Sequence, residues 1–127
     1  MTYEITGIHH IQLAMPPDEE EAGRTFYGDL LGLPEKVVPS SLPADRLVWY
    51  AVGDDEVHVF SHDVDERHPA AHLCLEVDDL NTLLASLEAN GHSIVRDNPA
   101  IHNRPRGFVH DPYGNLIELT EIRGNYD

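Results

Sequence analysis

The sequence predicts an α+β protein in which a β-α-β-β-β module occurs twice, in a single domain over residues 1–127. The first module covers about residues 7–62 and the second about residues 70–122. A segment with strand-like alternation opens each half, a helix-like pattern follows it, and a predicted hairpin closes it. We expect the eight strands to form a curved sheet around a cleft, with the helices on the outer faces.

The opening strands cover residues 8–15 and 70–77, where apolar residues alternate with others. Because successive side chains of a strand point to opposite faces, Leu13 and Leu75 are expected to pack on the helices. His10 and His72 then lie on the opposite faces, which are left to line the cleft.

Each opening strand is followed by a predicted helix. Apolar residues recur at helical spacing in both segments: Ala22, Phe26 and Leu30 in the first, and Leu80, Leu83, Leu84 and Leu87 in the second. Asp18 and Glu21 have the spacing of a capping box at the start of the first helix. Gly32 and Gly91 stand where a glycine commonly ends a helix. We interpret both apolar stripes as core packing.

Three further strands are predicted in each half. The short strands are residues 35–38 and 93–96, and the hairpin strands are residues 47–52 with 56–60 and 107–110 with 115–120. Asp111, Pro112 and Gly114 occupy positions that a type I turn favours. The polar stretch 62–69 is the predicted linker between the modules.

Four potential metal ligands occupy equivalent places in the two modules. His10 and His72 lie on the first strands, and His58 and Glu118 lie on the last strands. Alternation directs all four away from the faces that pack on the helices. Two imidazoles and a carboxylate leave positions open for a substrate, as a catalytic ion needs. We therefore predict His10, His72 and Glu118 as the core ligands of a divalent ion, with Zn, Ni, Co, Mn and Fe(II) not distinguished.

Glu118 and His58 are the predicted catalytic residues, because either side chain can move a proton. Three interpretations of His58 stay open: a fourth ligand, a general base, or a residue that hydrogen-bonds beside the ion. The predicted substrate-binding residues are Arg106, for a substrate carboxylate, and Trp49, Phe108 and Tyr113, for an apolar pocket. A surface ion pair for the arginine and core packing for the aromatic residues are the competing interpretations.

Composition excludes several kinds of partner. The chain has 8 Lys and Arg against 23 Asp and Glu, a net charge of −15, which repels nucleic acid and anionic membranes. No apolar run approaches a membrane span, and the N-terminus does not have the form of a secretory signal. The single Cys74 suits a reducing compartment, so we expect a cytoplasmic protein that binds a small-molecule substrate.

Several segments are similar to a known family. Residues 26–33 follow F-Y-x-x-x-L-G-L, and residues 111–119 follow D-P-x-G-N-x-I-E-L. With residues 10–13 and 77–80, they make the chain resemble the vicinal oxygen chelate superfamily, also called glyoxalase/bleomycin resistance/dioxygenase, over about residues 7–122. The resemblance implies paired βαβββ modules and a cleft metal ion that holds neighbouring substrate oxygens. It matches the ligand positions to His10, His72 and Glu118 and, by analogy, implies a homodimer.

The pattern of glyoxalase I has a glutamate where this chain has His58, which argues against a glyoxalase I assignment. A His-His-Glu set is also similar to that of fosfomycin-resistance thiol transferases and extradiol dioxygenases. The bleomycin-sequestering relatives use no metal, and fold alone does not decide among these functions.

Three functions stay open on this basis. The first is a divalent-metal-dependent, glyoxalase-like lyase or isomerase that works through a metal-stabilised enolate or oxyanion. The second is an Fe(II) ring-cleaving enzyme of the dioxygenase type. The third is a metal-free protein that binds a drug or metabolite. We take the first as the leading prediction.

Overall fold

A computed structural model of the chain, which describes residues 2–65, 67–96 and 100–125, confirms the two β-α-β-β-β modules. The strands of module one are β1 (His10–Met15), β2 (Glu35–Lys36), β3 (Leu47–Val52) and β4 (Asp55–Ser61). Those of module two are β5 (His72–Glu76), β6 (Val95–Arg96), β7 (Arg106–His110) and β8 (Leu116–Thr120). They form two four-stranded sheets, ordered β1-β4-β3-β2 and β5-β8-β7-β6, and in the described ranges no ladder joins the sheets.

The two sheets repeat each other down to the pairing of residues. In each module the first and last strands pair in parallel, and the other pairs are antiparallel. His58 lies between Gln12 and Trp49 in module one. Glu118 lies between Cys74 and Phe108 in module two. Residues that match in the sequence repeat therefore occupy matching places in the two sheets.

One hydrophobic core lies on the helix side of both sheets. Alternate strand residues supply it: Met15, Val57 and Val59 from module one, and Leu75, Ile117 and Leu119 from module two. The first helical segment adds Phe26 and Tyr27, and α2 (Leu80–Ala89) adds Leu80, Leu84 and Leu87. Because these residues take one face of each strand, the polar residues between them are directed to the other face.

The first helix differs from the expected regular helix. It is α-helical only over Glu20–Gly23 (α1) and continues as a π-helical segment over Arg24–Leu30. The predicted capping box is wrong, because Asp18 has a positive φ of 64° and no side chain caps the helix. The wider π turn reduces the angle between consecutive side chains, which lets the neighbours Phe26 and Tyr27 both enter the core.

Other boundaries shift by one or two residues. The short strands hold two residues each rather than four, and a 3₁₀ helix that was not predicted covers Ala44–Arg46. Gly32 and Gly91 end their helices with φ of 72° and 87°, as predicted. Part of the predicted loop before β7, residues 97–99, lies outside the described residues. No helix in the described ranges has the length and apolar character needed to cross a bilayer.

The turn between β7 and β8 connects the two modules. The buried Asp111 carboxylate accepts from the Tyr27 hydroxyl at 2.6 Å, and the Asn115 amide donates to the Ala14 carbonyl at 2.8 Å. The Tyr113 hydroxyl donates to the Glu19 carbonyl at 2.6 Å. This turn therefore fixes the position of β1 relative to β8, which carry His10 and Glu118.

Candidate active site

In module two, an imidazole faces a carboxylate on the side of the sheet away from the helices. His72 Nε2 lies 3.0 Å from Glu118 Oε1, and His72 Nδ1 lies 3.0 Å from the Ala70 carbonyl oxygen. A carbonyl only accepts, so Nδ1 carries the proton of the neutral ring. The lone pair of Nε2 then points at a carboxylate oxygen. Two acceptors at this distance need a cation between them, which is either a proton or a metal ion.

The second oxygen of Glu118 has a different partner. Arg106 Nη1 lies 3.3 Å from Glu118 Oε2, and both side chains are 11% exposed. The neighbouring Cys74 thiol has a pKa raised to about 11, first by burial and then by the Glu118 charge. Cys74 is therefore a neutral thiol near pH 7, which does not favour a role as a nucleophile.

In module one, three rings are stacked on the corresponding face. The His58 ring lies between Trp49 and His10, with centroid distances of 4.0 and 4.1 Å and interplanar angles of 4° and 16°. His10 also contacts His9, whose Nδ1 lies 2.9 Å from His10 Nδ1. The Nε2 atom of His10 is therefore the nitrogen left for an ion or a substrate.

His58 is held at its edge by a carboxylate that the sequence did not predict as a site residue. His58 Nε2 lies 2.8 Å from Glu56 Oε1, and Glu56 Oε2 pairs with Lys36. Hydrogen bonds from Lys36 and then from His58 lower the pKa of Glu56 to about 2. Burial, the largest cause, lowers the pKa of His58. His58 is thus a neutral imidazole that donates through Nε2 and keeps a lone pair on Nδ1.

One signal in the sequence could have identified Glu56. It stands two residues before His58 on a strand, and therefore on the same face. It also lies opposite His10 in the β1–β4 ladder, although that register is known only from the structure.

The structure thus brings the predicted ligands together in pairs, His10 with His58 and His72 with Glu118. In residues 2–65, 67–96 and 100–125, no three His, Cys, Asp or Glu side chains form a group that could hold one ion. His10 and His72 nevertheless line one cavity of about 330 Å³ between β1 and β5. The chemistry of this donor set fits a borderline divalent ion, to which the facing acceptors of His72 and Glu118 would contribute two ligands.

The predicted substrate-binding residues separate into two groups. The Trp49 ring stacks on the His58 ring, and the centroids of the Phe108 and His72 rings lie 5.9 Å apart. The His10–His58 pair and the His72–Glu118 pair therefore each have an aromatic neighbour. Arg106 contacts Glu118. Tyr113 is 5% exposed and belongs to the core under α1, so it does not share this surface.

Comparison with known proteins agrees with this geometry. The profile of the Glyoxalase/Bleomycin resistance protein/Dioxygenase superfamily matches residues 7–119. The chain belongs to this superfamily. The match covers both modules and all four paired residues, His10, His58, His72 and Glu118.

Members of the superfamily share the fold at different levels of identity. A glyoxalase family protein from Bacillus anthracis is 31% identical, with a TM-score of 0.88 over 97% of this chain and 100% of that one. The mitochondrial methylmalonyl-CoA epimerase of Bos taurus is 27% identical over 90% of this chain and 73% of its own length. A fosfomycin resistance protein from Listeria monocytogenes, solved with Mn(II) and sulfate, is 14% identical, with a TM-score of 0.76 over 94% and 93%. That last likeness concerns the fold alone.

Proposed function

We propose that the protein is a divalent-metal-dependent enzyme of the glyoxalase-like type that moves a proton next to a carbonyl group, as a lyase or isomerase. The observation that carries this proposal is the contact between His72 Nε2 and Glu118 Oε1 at 3.0 Å. Two acceptors converge there on a place where a cation belongs. The neighbouring Arg106 binds the other Glu118 oxygen and does not lie between the two acceptors.

The third ligand in this proposal is His10, which lines the same cavity as His72. Either β1 and β5 approach each other when an ion binds, or His10 comes from a second copy of the chain. The second route needs the homodimer that we propose on the analogy with relatives. In either case Zn, Ni, Co, Mn and Fe(II) all suit two imidazoles and one carboxylate.

The residues of the chain divide the remaining work. When bound, the ion would supply Lewis-acid stabilisation of negative charge on a substrate oxygen. His58 Nδ1 accepts a proton, while Glu56 holds the opposite edge of the ring at 2.8 Å and stabilises the imidazolium. Glu118 is the second proposed catalytic residue, because Oε1 can carry a proton when it is not bound to the ion. Trp49 and Phe108 contact the apolar part of the substrate.

The proposed substrate is small and has no phosphate groups. Each of the eight basic side chains already binds an acid or a backbone carbonyl: Arg24 with Glu35, Lys36 with Glu56, Arg46 with Ser61, Arg67 with Tyr113, Arg96 with Glu88, Arg104 with Gly124, Arg106 with Glu118 and Arg123 with Glu121. A CoA thioester carries several phosphates, which these side chains could bind only by releasing their partners. We therefore carry over proton-transfer chemistry from the epimerase relative, and not its substrate.

The acid excess and the single cysteine support two further parts of the proposal. The protein works in the cytoplasm, where its thiol stays reduced, and it binds neither nucleic acid nor membranes.

The test uses deuterium exchange. Metal-free protein without a histidine tag is loaded separately with Mn²⁺, Co²⁺, Ni²⁺, Zn²⁺ and Fe²⁺ and incubated in D₂O with a panel of small 2-oxo and 2-hydroxy carbonyl compounds. Deuterium is expected at the carbon beside the carbonyl with at least one ion, and His10→Ala and Glu118→Gln are expected to abolish its incorporation. Oxygen consumption by the Fe²⁺-loaded protein and by no other sample would instead support the ring-cleaving function. Ligand binding that His10→Ala and chelators leave intact would favour the metal-free binding protein.

A further inference from the structure

We propose that Arg106 is a positioning residue that holds Glu118 so that only its Oε1 atom is available to an ion. This inference rests on the proposed function, and it replaces the expected contact of Arg106 with a substrate carboxylate. The two oxygens of Glu118 have different partners: Oε1 faces His72 Nε2 at 3.0 Å, and Oε2 accepts from Arg106 Nη1 at 3.3 Å.

Burial makes this contact more than a surface ion pair. Both side chains are 11% exposed, so each charge has lost most of its water. Turning the carboxylate away would separate two opposite charges that are both largely buried. Rotation of Glu118 to give both oxygens to an ion would break the contact and is therefore opposed.

The strand arrangement holds the arginine where it is. Arg106 and Phe108 lie on the same face of β7, and Phe108 pairs directly with Glu118 across the β7–β8 ladder. The guanidinium carbon lies 5.0 Å from the centroid of the Phe108 ring, within the range of a cation–π contact. The arginine is thus fixed between an aromatic ring and a carboxylate and directs Glu118 Oε1 towards His72.

Module one has the same kind of arrangement at a different position. Glu56 presents one oxygen to His58 and the other to Lys36. In both modules a basic side chain takes one carboxylate oxygen and leaves the second for a histidine. This recurrence supports a positioning role, because the two arrangements use different strand positions and were not produced by the sequence repeat.

The experiment measures metal affinity by calorimetry, with Co²⁺ added to untagged, metal-free protein. Arg106→Ala is expected to weaken Co²⁺ binding by about 10- to 100-fold, as for other residues that orient a ligand. Arg106→Lys is expected to recover most of the affinity, because the contact uses a single nitrogen. Arg96→Ala, which removes an exposed ion pair with Glu88, is the matched control and should leave the affinity unchanged.

The absorption spectrum of bound Co²⁺ distinguishes positioning from a general loss of stability. Arg106→Ala frees Glu118 to bind with both oxygens, so the visible bands are expected to shift, while those of Arg106→Lys match the wild type. If Arg106→Ala fails to fold, Arg106→Gln keeps the stem and is measured instead. Unchanged affinity and spectrum in the alanine or glutamine variant would overturn the role of Arg106 and leave the proposed function standing. A wild-type protein that binds no Co²⁺, Mn²⁺, Ni²⁺, Zn²⁺ or Fe²⁺ would overturn both.

Discussion

At the scale of single residues, the geometry of the candidate site depends on the partners of two carboxylates, those of Glu56 and Glu118. Glu118 and Glu56 each contact one histidine and one basic side chain. His58 donates through Nε2 to Glu56, whereas His72 turns Nδ1 to the Ala70 carbonyl and Nε2 to Glu118. The first geometry suits a base and the second suits a ligand, although both pairs consist of a histidine and a glutamate.

The sequence predicted the histidines and Glu118 because duplication and strand alternation are both visible in it. Glu56 and Lys36 were missed, because their role depends on the register of β4 against β1 and on the reach of a lysine from β2. Tyr113 was assigned to the substrate pocket, but the direction of a turn side chain depends on what packs against the turn. The periodicity of the sequence reports neither the register between strands nor the direction of a turn side chain.

The thiol of Cys74 reports the charge of Glu118. Its pKa, about 11, is raised by burial and by the adjacent carboxylate. Iodoacetamide should therefore modify Cys74 slowly at pH 8, with a rate that keeps rising towards pH 11. Glu118→Gln removes the charge and is expected to lower the pKa and to speed modification at pH 8, as measured by mass spectrometry over time. Equal rates in the two proteins would mean that burial alone sets this pKa.

At the scale of secondary structure elements, the two helices begin in different ways. α2 has a capped start, because Asp79 accepts from the Thr82 backbone N–H at 3.2 Å. α1 has no side-chain cap and is instead fixed by the Tyr113 hydroxyl on the Glu19 carbonyl. Alternation and helical spacing predicted both helices, but the π-helical continuation depends on tertiary packing of Phe26 and Tyr27 and could not be predicted locally.

The cap of α2 gives a prediction on pH. Hydrogen bonds from Thr82 lower the pKa of Asp79 below its usual 3.8. Because the folded pKa lies below the unfolded one, the ionic part of its stabilisation is present above pH 3.8 and is lost as the pH falls through the folded value. Asp79→Ser keeps a neutral cap. The difference in free energy of unfolding between wild type and Asp79→Ser should therefore favour the wild type more at pH 6 than at pH 3, and a pH-independent difference would contradict this.

The start of α1 gives a prediction on packing. A Cβ atom on Gly23 would overlap the Tyr113 hydroxyl. Gly23→Ala is expected to lower the free energy of unfolding by about 1–3 kcal/mol, as for other overpacked sites. In the Tyr113→Phe background the hydroxyl is gone, so the same change should cost less than half as much. Urea unfolding of the four proteins measures this coupling, and strictly additive effects would show that the two residues do not meet.

At the scale of the whole molecule, the chain is two similar modules that share one core and are joined at the Asp111–Asn115 turn. The paired modules were predictable, because each module repeats the same pattern, whereas the division into two separate four-stranded sheets is known only from the structure. The arrangement of the modules was not predictable, since it depends on hydrogen bonds between residues far apart in sequence, such as Tyr27 with Asp111. Those contacts decide how close β1 lies to β5, and therefore how the His10–His58 pair approaches the His72–Glu118 pair.

The charge of the whole molecule gives a prediction on ligands. All eight basic side chains are engaged, and the net charge is −15. Coenzyme A is therefore expected to bind with a Kd in the millimolar range or weaker at physiological salt, as measured by calorimetry. Glu56→Gln and Glu88→Gln each remove the acid partner of a basic side chain, Lys36 and Arg96 respectively, so both should strengthen binding of coenzyme A. Micromolar binding of coenzyme A by the wild type would contradict the proposed substrate class.

The most direct measurement of the proposed site is diffraction from Mn²⁺-loaded crystals, recorded where manganese scatters anomalously. One ion is expected within about 2–2.5 Å of His10 Nε2, His72 Nε2 and Glu118 Oε1, with these ligands drawn from one chain or from two. An anomalous peak that touches His72 and Glu118 but leaves His10 more than about 4 Å away, or no peak between the modules, would contradict a metal site shared by the two modules.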